Sequence, residues 1–281
     1  MRWEEIMITL RDWAYAEPVK ITGPEDGCSF YHWMDLPLSP SATGSVTVPG
    51  AWDLRGRFQD YIGGVDVAGK SVLDVGTATG WISFEAERHG AAQVVGLDAA
   101  DDVVPQHVPY PQVVGRTRPM TSATGELISD RTSIRRSYWL CHKRLDSSAA
   151  VVYGDVYKVG EHISGADVVI VGQILVHQRD PLEALLQCAR SADDTLIIVE
   201  GSFESDQPVM KFCGLNGVYY SWFLLSSAMY VTYLKLLGFE LQSVTKNLYR
   251  CTHADAAPEM EVWTYVAKRV GPTLGRANQS A

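Results

Sequence analysis

From about residue 69 the chain alternates short apolar runs with stretches of helical spacing, and this alternation constrains the fold more than any other feature. The runs are SVLDVG at 71–76, QVVGLDA at 93–99, AAVVYGD at 149–155, DVVIVG at 167–172 and TLIIVEG at 195–201. Between them, 81–90, 131–146 and 181–190 carry apolar residues at helical intervals. In the second, Ile134, Tyr138, Cys141 and Leu145 share one face. Strands alternating with helices predict an α/β fold, a Rossmann-like doubly wound sheet. Beyond residue 218 the pattern predicts a helix ending at LKLLGFE, with Gly238 as its C-cap. Two strands, LQSVTKN and EVWTYVAK, follow and are expected as a hairpin closing the sheet edge.

The first 68 residues lack this periodicity. Rich in Trp, Pro and Gly, they predict an irregular extension, or lid, laid against a domain spanning 69–270. Residues 105–130 read as a second weakly periodic insertion, and 271–281 as a disordered tail. A chain of 281 residues that is 46% apolar can bury a full core. No stretch nears the roughly 18 to 20 apolar residues of a membrane span, and the opening residues do not read as a secretory leader, so a cytoplasmic location is expected. Five cysteines, Cys28, Cys141, Cys188, Cys213 and Cys251, stand singly and are expected to be reduced core fillers.

The stretch VLDVGTATG ends the first strand in a glycine-bounded loop that opens a helix at Trp81. Open α/β sheets bind ligands at such loops. Gly76 and Gly80 are expected to let the backbone approach a ligand closely. Their spacing departs from the G-x-G-x-x-G dinucleotide fingerprint, and the P-loop lysine is missing, so a phosphate cradle is disfavoured. Asp98 ends the second strand, where a carboxylate can accept ribose hydroxyls. Asp74 points toward the same crevice and can take an ammonium group. Together they suit a cationic nucleoside amino acid.

The block VLDVGTATGWISFEAERHGAAQVVGLD resembles the first motif of the class I S-adenosylmethionine-dependent methyltransferases, usually (D/E)-x-G-x-G-x-G, with Ala78 at the middle glycine. Three further segments resemble the branch that contains the tRNA wobble-uridine carboxymethyltransferase and its small-molecule relatives. They are FYHWMDL with VPGAWDLR, VGQILVHQRDPLEALLQ, and NGVYYSWFLLSSAMYVTYLKLLGFE. The resemblance implies a seven-stranded sheet, S-adenosyl-L-methionine as cofactor and S-adenosyl-L-homocysteine as product. It places Asp74, Gly76, Thr77, Ala78 and Gly80 around the methionine part, Asp98 and Ala99 at the ribose, and Asp155 with Val156 beside the adenine. Gly172 begins the 172–177 segment lining the methyl-transfer cavity. The tRNA enzyme carries a tyrosine where this chain has Val176, so plain methyl transfer is expected over carboxymethyl transfer.

His177 is the candidate general base, since an imidazole near pKa 6.5 can take a proton at neutral pH. Its structural alternative is to fix the HQRDP turn. His32 and Arg55, in the aromatic and charged cluster of the extension, are candidates for the acceptor site, with Trp33 and Trp52 read as packing. Tyr219, Tyr220 and Trp222 are candidate acceptor walls.

The basic residues Arg116, Arg118, Arg131, Arg135, Arg136, Lys143 and Arg144 invite a nucleic-acid reading. A net charge of −9 opposes it, and a solvated helix face is favoured. No histidine or cysteine spacing predicts a metal. The expected function is methyl transfer to a small-molecule acceptor, a secondary metabolite, at oxygen, nitrogen or carbon, mainly by alignment and desolvation. The rivals are a tRNA-modifying enzyme and a cofactor-binding protein without turnover.

Overall fold

The computed structural model describes residues 7–39, 44–109, 131–213, 220–252 and 259–272. In chain order the strands are β1 (Thr9–Leu10), β2 (Met34–Pro37), β3 (Ser45–Val48), β4 (Trp52–Asp53), β5 (Ser71–Val75), β6 (Gln93–Ala99), β7 (Ala150–Gly154) and β8 (Ile163–Ser164). They continue with β9 (Ala166–Gly172), β10 (Ala192–Glu200), β11 (Ser202–Phe203), β12 (Met210–Phe212), β13 (Phe223–Ser226), β14 (Phe239–Cys251) and β15 (Glu259–Arg269). The helices are α1 (Phe58–Tyr61), α2 (Trp81–Arg88), α3 (Arg131–Arg144), α4 (Val159–His162), α5 (Pro181–Ser191) and α6 (Ser227–Leu236).

The central sheet runs β7-β6-β5-β9-β10-β15-β14-β4. The strands from β7 to β10 pair in parallel, while β15 runs antiparallel to both its neighbours. All five residues of β5 are buried, as a parallel strand covered on both faces requires. Alternate residues feed two cores. Val72, Ile170 and Ile197 pack with α2, α3 and the extension, whereas Leu73, Val171 and Ile198 pack with α5 and α6. The result is a three-layer α/β unit whose chain order reverses direction between β5 and β9, the place where open α/β sheets bind ligands, at the carboxyl ends of the strands.

The C-terminal hairpin forms, with a difference from the predicted edge position. Its second strand, β15, sits inside the sheet, and the first, β14, lies outside it. Burial explains the choice. Val262 to Ala267 are buried at every position, while most of β14 is exposed on both faces, so the more apolar strand takes the inner place.

The extension is built into the sheet. Ala16 N–H donates to Val151 O on the β7 edge at 2.8 Å, β1 pairs with β8, and β4 pairs with β14 at Arg250 and Cys251. Leu54, Phe58 and Ile62 are fully buried in the first core. Each contributes roughly 1.5–3 kcal/mol of burial.

Helix α3 departs from the expected solvated basic face. Its cations reach backbone carbonyls instead: Arg136 to Asp26 O at 2.8 Å, Lys143 to Ile21 O at 3.0 Å and Arg144 to Pro37 O at 3.2 Å. Arg131 and Arg135 bind Ala100 O and Ala99 O at 2.7 and 2.6 Å. The charges therefore tie the extension and the β6 loop to the helix, because carbonyls at irregular turns lack ladder partners. Arg116 and Arg118 lie outside the described residues. Among the described residues, no helix is long and apolar enough to cross a membrane, and no group of three His, Cys, Asp or Glu could hold a metal ion.

Candidate functional site

The loop after β5 is set by its backbone. Gly76 and Thr77 N–H both donate to Leu97 O, at 2.8 and 3.0 Å, and Gly80 N–H donates to Thr77 O at 2.7 Å. Gly76, Ala78 and Gly80 have φ of 88°, 47° and 87°. All three are left-handed, which glycine adopts freely and alanine does not. At two of these positions a side chain would also meet packed neighbours. A Cβ on Gly76 would overlap Ile174 Cγ2, and one on Gly80 would overlap the rings of Phe84 and Tyr138. These glycines serve conformation and packing. Ala78→Gly should therefore stabilise the fold by about 0.5–1 kcal/mol, the left-handed strain relieved less the added unfolded-state entropy. Urea denaturation measures it, and a destabilised variant would show that Ala78 is unstrained.

Asp74 is fully buried, and its Oδ2 accepts from Ser83 Oγ at 2.7 Å, while Oδ1 is buried without a hydrogen-bond partner. Burial pushes its carboxyl up to about 6, opposed by the Ser83 hydroxyl. Asp98, partly exposed at the end of β6, accepts Ala78 N–H at 2.9 Å on Oδ2 and Ala99 N–H at 2.7 Å on Oδ1. Burial raises its carboxyl too, opposed by these amides. Two acceptor positions remain on Asp98 for a ligand's hydroxyls. Asp155 follows β7 and caps the turn Val156–Lys158 by accepting Tyr157 N–H at 3.0 Å. Gly172 ends β9, its bare face covered by the Tyr61 hydroxyl and Ile82.

His177 sits in a one-turn 3-10 helix, Leu175–His177, just past β9. Its Nδ1 lies 2.6 Å from Tyr220 O. A carbonyl only accepts, so Nδ1 carries the proton and Nε2 of the neutral ring keeps a lone pair. Burial lowers the imidazole pKa, favouring that neutral form. Tyr220 packs on the ring at 5.8 Å, and Trp222 is held by its N–H to Val176 O at 2.8 Å and its Nε1–H to Gln106 O at 2.6 Å. The sequence-predicted His177, Tyr220 and Trp222 are thus neighbours. Tyr219 lies outside the described residues.

His32 and Arg55 have other partners. Thr79 Oγ1 accepts His32 N–H at 2.9 Å and shares a second hydrogen bond with His32 Nδ1 at 3.0 Å, so the histidine anchors the glycine loop. Arg55 is held by both Asp53 oxygens, at 2.8 and 2.9 Å, by Asp35 at 2.8 Å and by the Trp33 ring at 5.0 Å.

Burial pushes His32 down to about 3, well below an unfolded value near 6.5. The unfolded chain therefore binds the extra proton between those values, and stability falls as pH drops through this window. Against His32→Gln, the wild-type acid limb should be steeper by up to about 1.4 kcal/mol per pH unit. Equal slopes in urea titrations from pH 6.5 to 4 would contradict the buried neutral imidazole.

Sequence reasoning missed Glu200, Tyr61 and Gln173. Glu200 ends β10, is 1% exposed, and accepts Leu175 N–H at 2.6 Å. Tyr61, equally buried, bonds Gln173, whose φ of 54° is unusual for a non-glycine residue. A usable signal existed for Glu200: like Asp74 and Asp98, it is a lone acid at the end of an apolar strand.

With the geometry in view, comparison with known proteins becomes specific. No family model matches. A tRNA U34 carboxymethyltransferase from Dichelobacter nodosus is 24% identical over 211 residues, covering 72% of this chain and 56% of that protein. The chain thus spans little more than half the length of that relative. The [4+2]-cyclase SpnF superposes with a TM-score of 0.50 at 13% identity, over 76% of this chain and 79% of that one. An S-adenosylmethionine-dependent methyltransferase from Methanosarcina mazei gives a TM-score of 0.49 at 13% identity, over 78% of this chain and 100% of that one.

The chain has the Rossmann-like class I methyltransferase fold. In this methyltransferase fold the glycine loop, Asp98 and the turn bearing His177 all sit at the carboxyl ends of β5, β6 and β9. The strand-end acids and the imidazole therefore lie on the same, carboxyl edge of the parallel strands, where open α/β sheets bind ligands.

Proposed function

We propose that the protein transfers a methyl group from S-adenosylmethionine to a small-molecule acceptor, a secondary metabolite, at oxygen, nitrogen or an activated carbon. The observation that carries this reading is the acid pair of the crevice. Asp74 keeps a buried oxygen without a partner, and Asp98 keeps spare acceptor positions. The cations nearest Asp98 point elsewhere: Arg131 donates to Ala100 O, and Arg135 to Ala99 O and Asp101. Two carboxylates in one cradle suit an ammonium, a sulfonium and a ribose better than a pyrophosphate.

S-adenosylmethionine brings a methyl group already activated on sulfur, so the protein's work is alignment and exclusion of water. Asp74 would hold the amino group and Asp98 the ribose, with Asp155 and Val156 beside the adenine. The extension, carrying His32 against the loop, would shield the crevice from solvent. His177 Nε2 would take the acceptor's proton, with Tyr220 and Trp222 as walls. A cytoplasmic location is part of the same reading.

The D. nodosus relative's name supports a second reading, a tRNA acceptor. Val176 and the commitment of the α3 cations to backbone carbonyls count against it. The third is a cofactor-binding protein without turnover, whose mark would be cofactor binding without methylation of any acceptor.

Calorimetric titration of the whole chain tests the proposal. Micromolar binding of S-adenosylmethionine and S-adenosylhomocysteine, with no binding of NAD, is expected. No binding of the first two overturns it. His177→Ala should keep cofactor affinity and lower turnover about a hundredfold or more, the usual contribution of a general base. Unchanged turnover removes His177 from the mechanism.

A further inference from the structure

We infer that Glu200 is a positioning residue for the His177 imidazole, acting through the one-turn helix Leu175–His177. This rests on the proposal that His177 is the base. The turn begins at Gln173, whose left-handed backbone redirects the chain out of β9 and leaves the following amides without ladder partners. Glu200, at the end of the adjacent strand β10, supplies the acceptor. Its Oε1 takes Leu175 N–H at 2.6 Å, and the amides of Val176, Gly201 and Ile174 lie close enough to its carboxyl group to favour the charged form.

The same turn is held from the other side. His177 N–H donates to Ile174 O at 3.1 Å, Trp222 N–H to Val176 O at 2.8 Å, and His177 Nδ1–H to Tyr220 O at 2.6 Å. The turn is thus clamped between a buried carboxyl below and the 220–222 segment above. A carboxyl this buried is costly unless it is hydrogen-bonded, and here the bond from Leu175 N–H falls on the turn that orients the imidazole. Burial pushes the carboxyl up and the amides pull it down. In either protonation state both oxygens keep a lone pair toward the amides.

Glu200→Gln tests the link, because its NH2 group sets donor against donor where the second oxygen stood. Three readouts on the full chain suffice: calorimetric binding of S-adenosylmethionine, far-UV circular dichroism, and 15N spectra of labelled histidines, with His177 assigned by a His177→Gln control. Wild type should show one tautomer, Nδ1-protonated. In Glu200→Gln, with the fold and cofactor binding retained to within roughly threefold, the His177 signals should move toward tautomer averaging.

The titration midpoint should also fall, since the Tyr220 contact raises the imidazole pKa. A drop of about half a pH unit corresponds to a roughly threefold loss of proton affinity. Glu200→Asp, which keeps both oxygens, should restore part of the shift. Unchanged His177 signals in a folded, cofactor-binding Glu200→Gln protein overturn the inference. Should the glutamine variant unfold, Glu200→Ala, which removes both oxygens, decides by the same spectra, a wild-type His177 signature in the folded protein again overturning it. Failure of the wild-type chain to bind S-adenosylmethionine would instead remove the proposed function, and the spectra keep the two failures apart.

Discussion

Asp98→Ala should weaken S-adenosylmethionine binding by about a hundredfold or more. Two losses combine. The carboxylate is the proposed acceptor for the ribose, and hydrogen bonds to a charged group contribute about 1.5–3 kcal/mol. It also accepts the amides of Ala78 and Ala99, the first of which ties the loop's middle residue to the end of β6. Truncation therefore releases a loop whose middle residue is already in a disfavoured conformation at φ 47°. A total near 3 kcal/mol is about two decades in affinity. Calorimetry on a variant whose circular dichroism is unchanged measures it. A dissociation constant equal to wild type would mean that the ribose lies elsewhere.

Gly80→Ala should destabilise the protein by about 3 kcal/mol. The left-handed backbone at φ 87° costs an alanine about 1–2 kcal/mol. Forcing a methyl into packed rings adds about 1–3 kcal/mol. The obstacles are Phe84 and Tyr138, which are buried and packed on each other at 5.2 Å, so neither can yield easily. Gly64 is the internal control. It has φ 76° with nothing within 4 Å of a Cβ, so Gly64→Ala should cost the conformational part alone. Urea unfolding of the two variants separates the contributions. Equal losses would mean that the ring contact at Gly80 carries no energy.

The elements legible in the sequence were those whose pattern is local. The five parallel strands and helices α2, α3 and α5 follow from apolar spacing that the chain writes within each segment, and Gly238, at φ 80°, caps the turn after α6 as its type suggests. The strand-end acids Asp74 and Asp98 were legible for the same reason. What depends on distant partners was not. The inner place of β15, the small sheet β11-β13-β12 and the pairing of Trp52 with Cys251 are settled by burial between segments far apart in the chain.

His32 shows the limit at a single residue. Its type and its aromatic neighbours suggested a pocket, whereas its position was decided by Thr79, 47 residues away. Of the carboxylates that bind Arg55, Asp53 is two residues away and was within reach of the sequence, whereas Asp35, 20 positions upstream, is brought to it by the fold.

The short strand β4 has a kinetic meaning as well. Its partner on β14 and the Thr252 hydroxyl that bonds Ala51 O lie some 200 positions downstream, 201 in the latter case. A segment synthesised early must therefore wait, with Trp52 and Leu54 uncovered, until nearly the whole described chain has emerged. Pairings of such high sequence separation form slowly. Until they form, the waiting strand is an adhesive surface for other nascent chains. Yield on refolding should then depend on protein concentration more than final stability does, with aggregation seeded at the N-terminal extension.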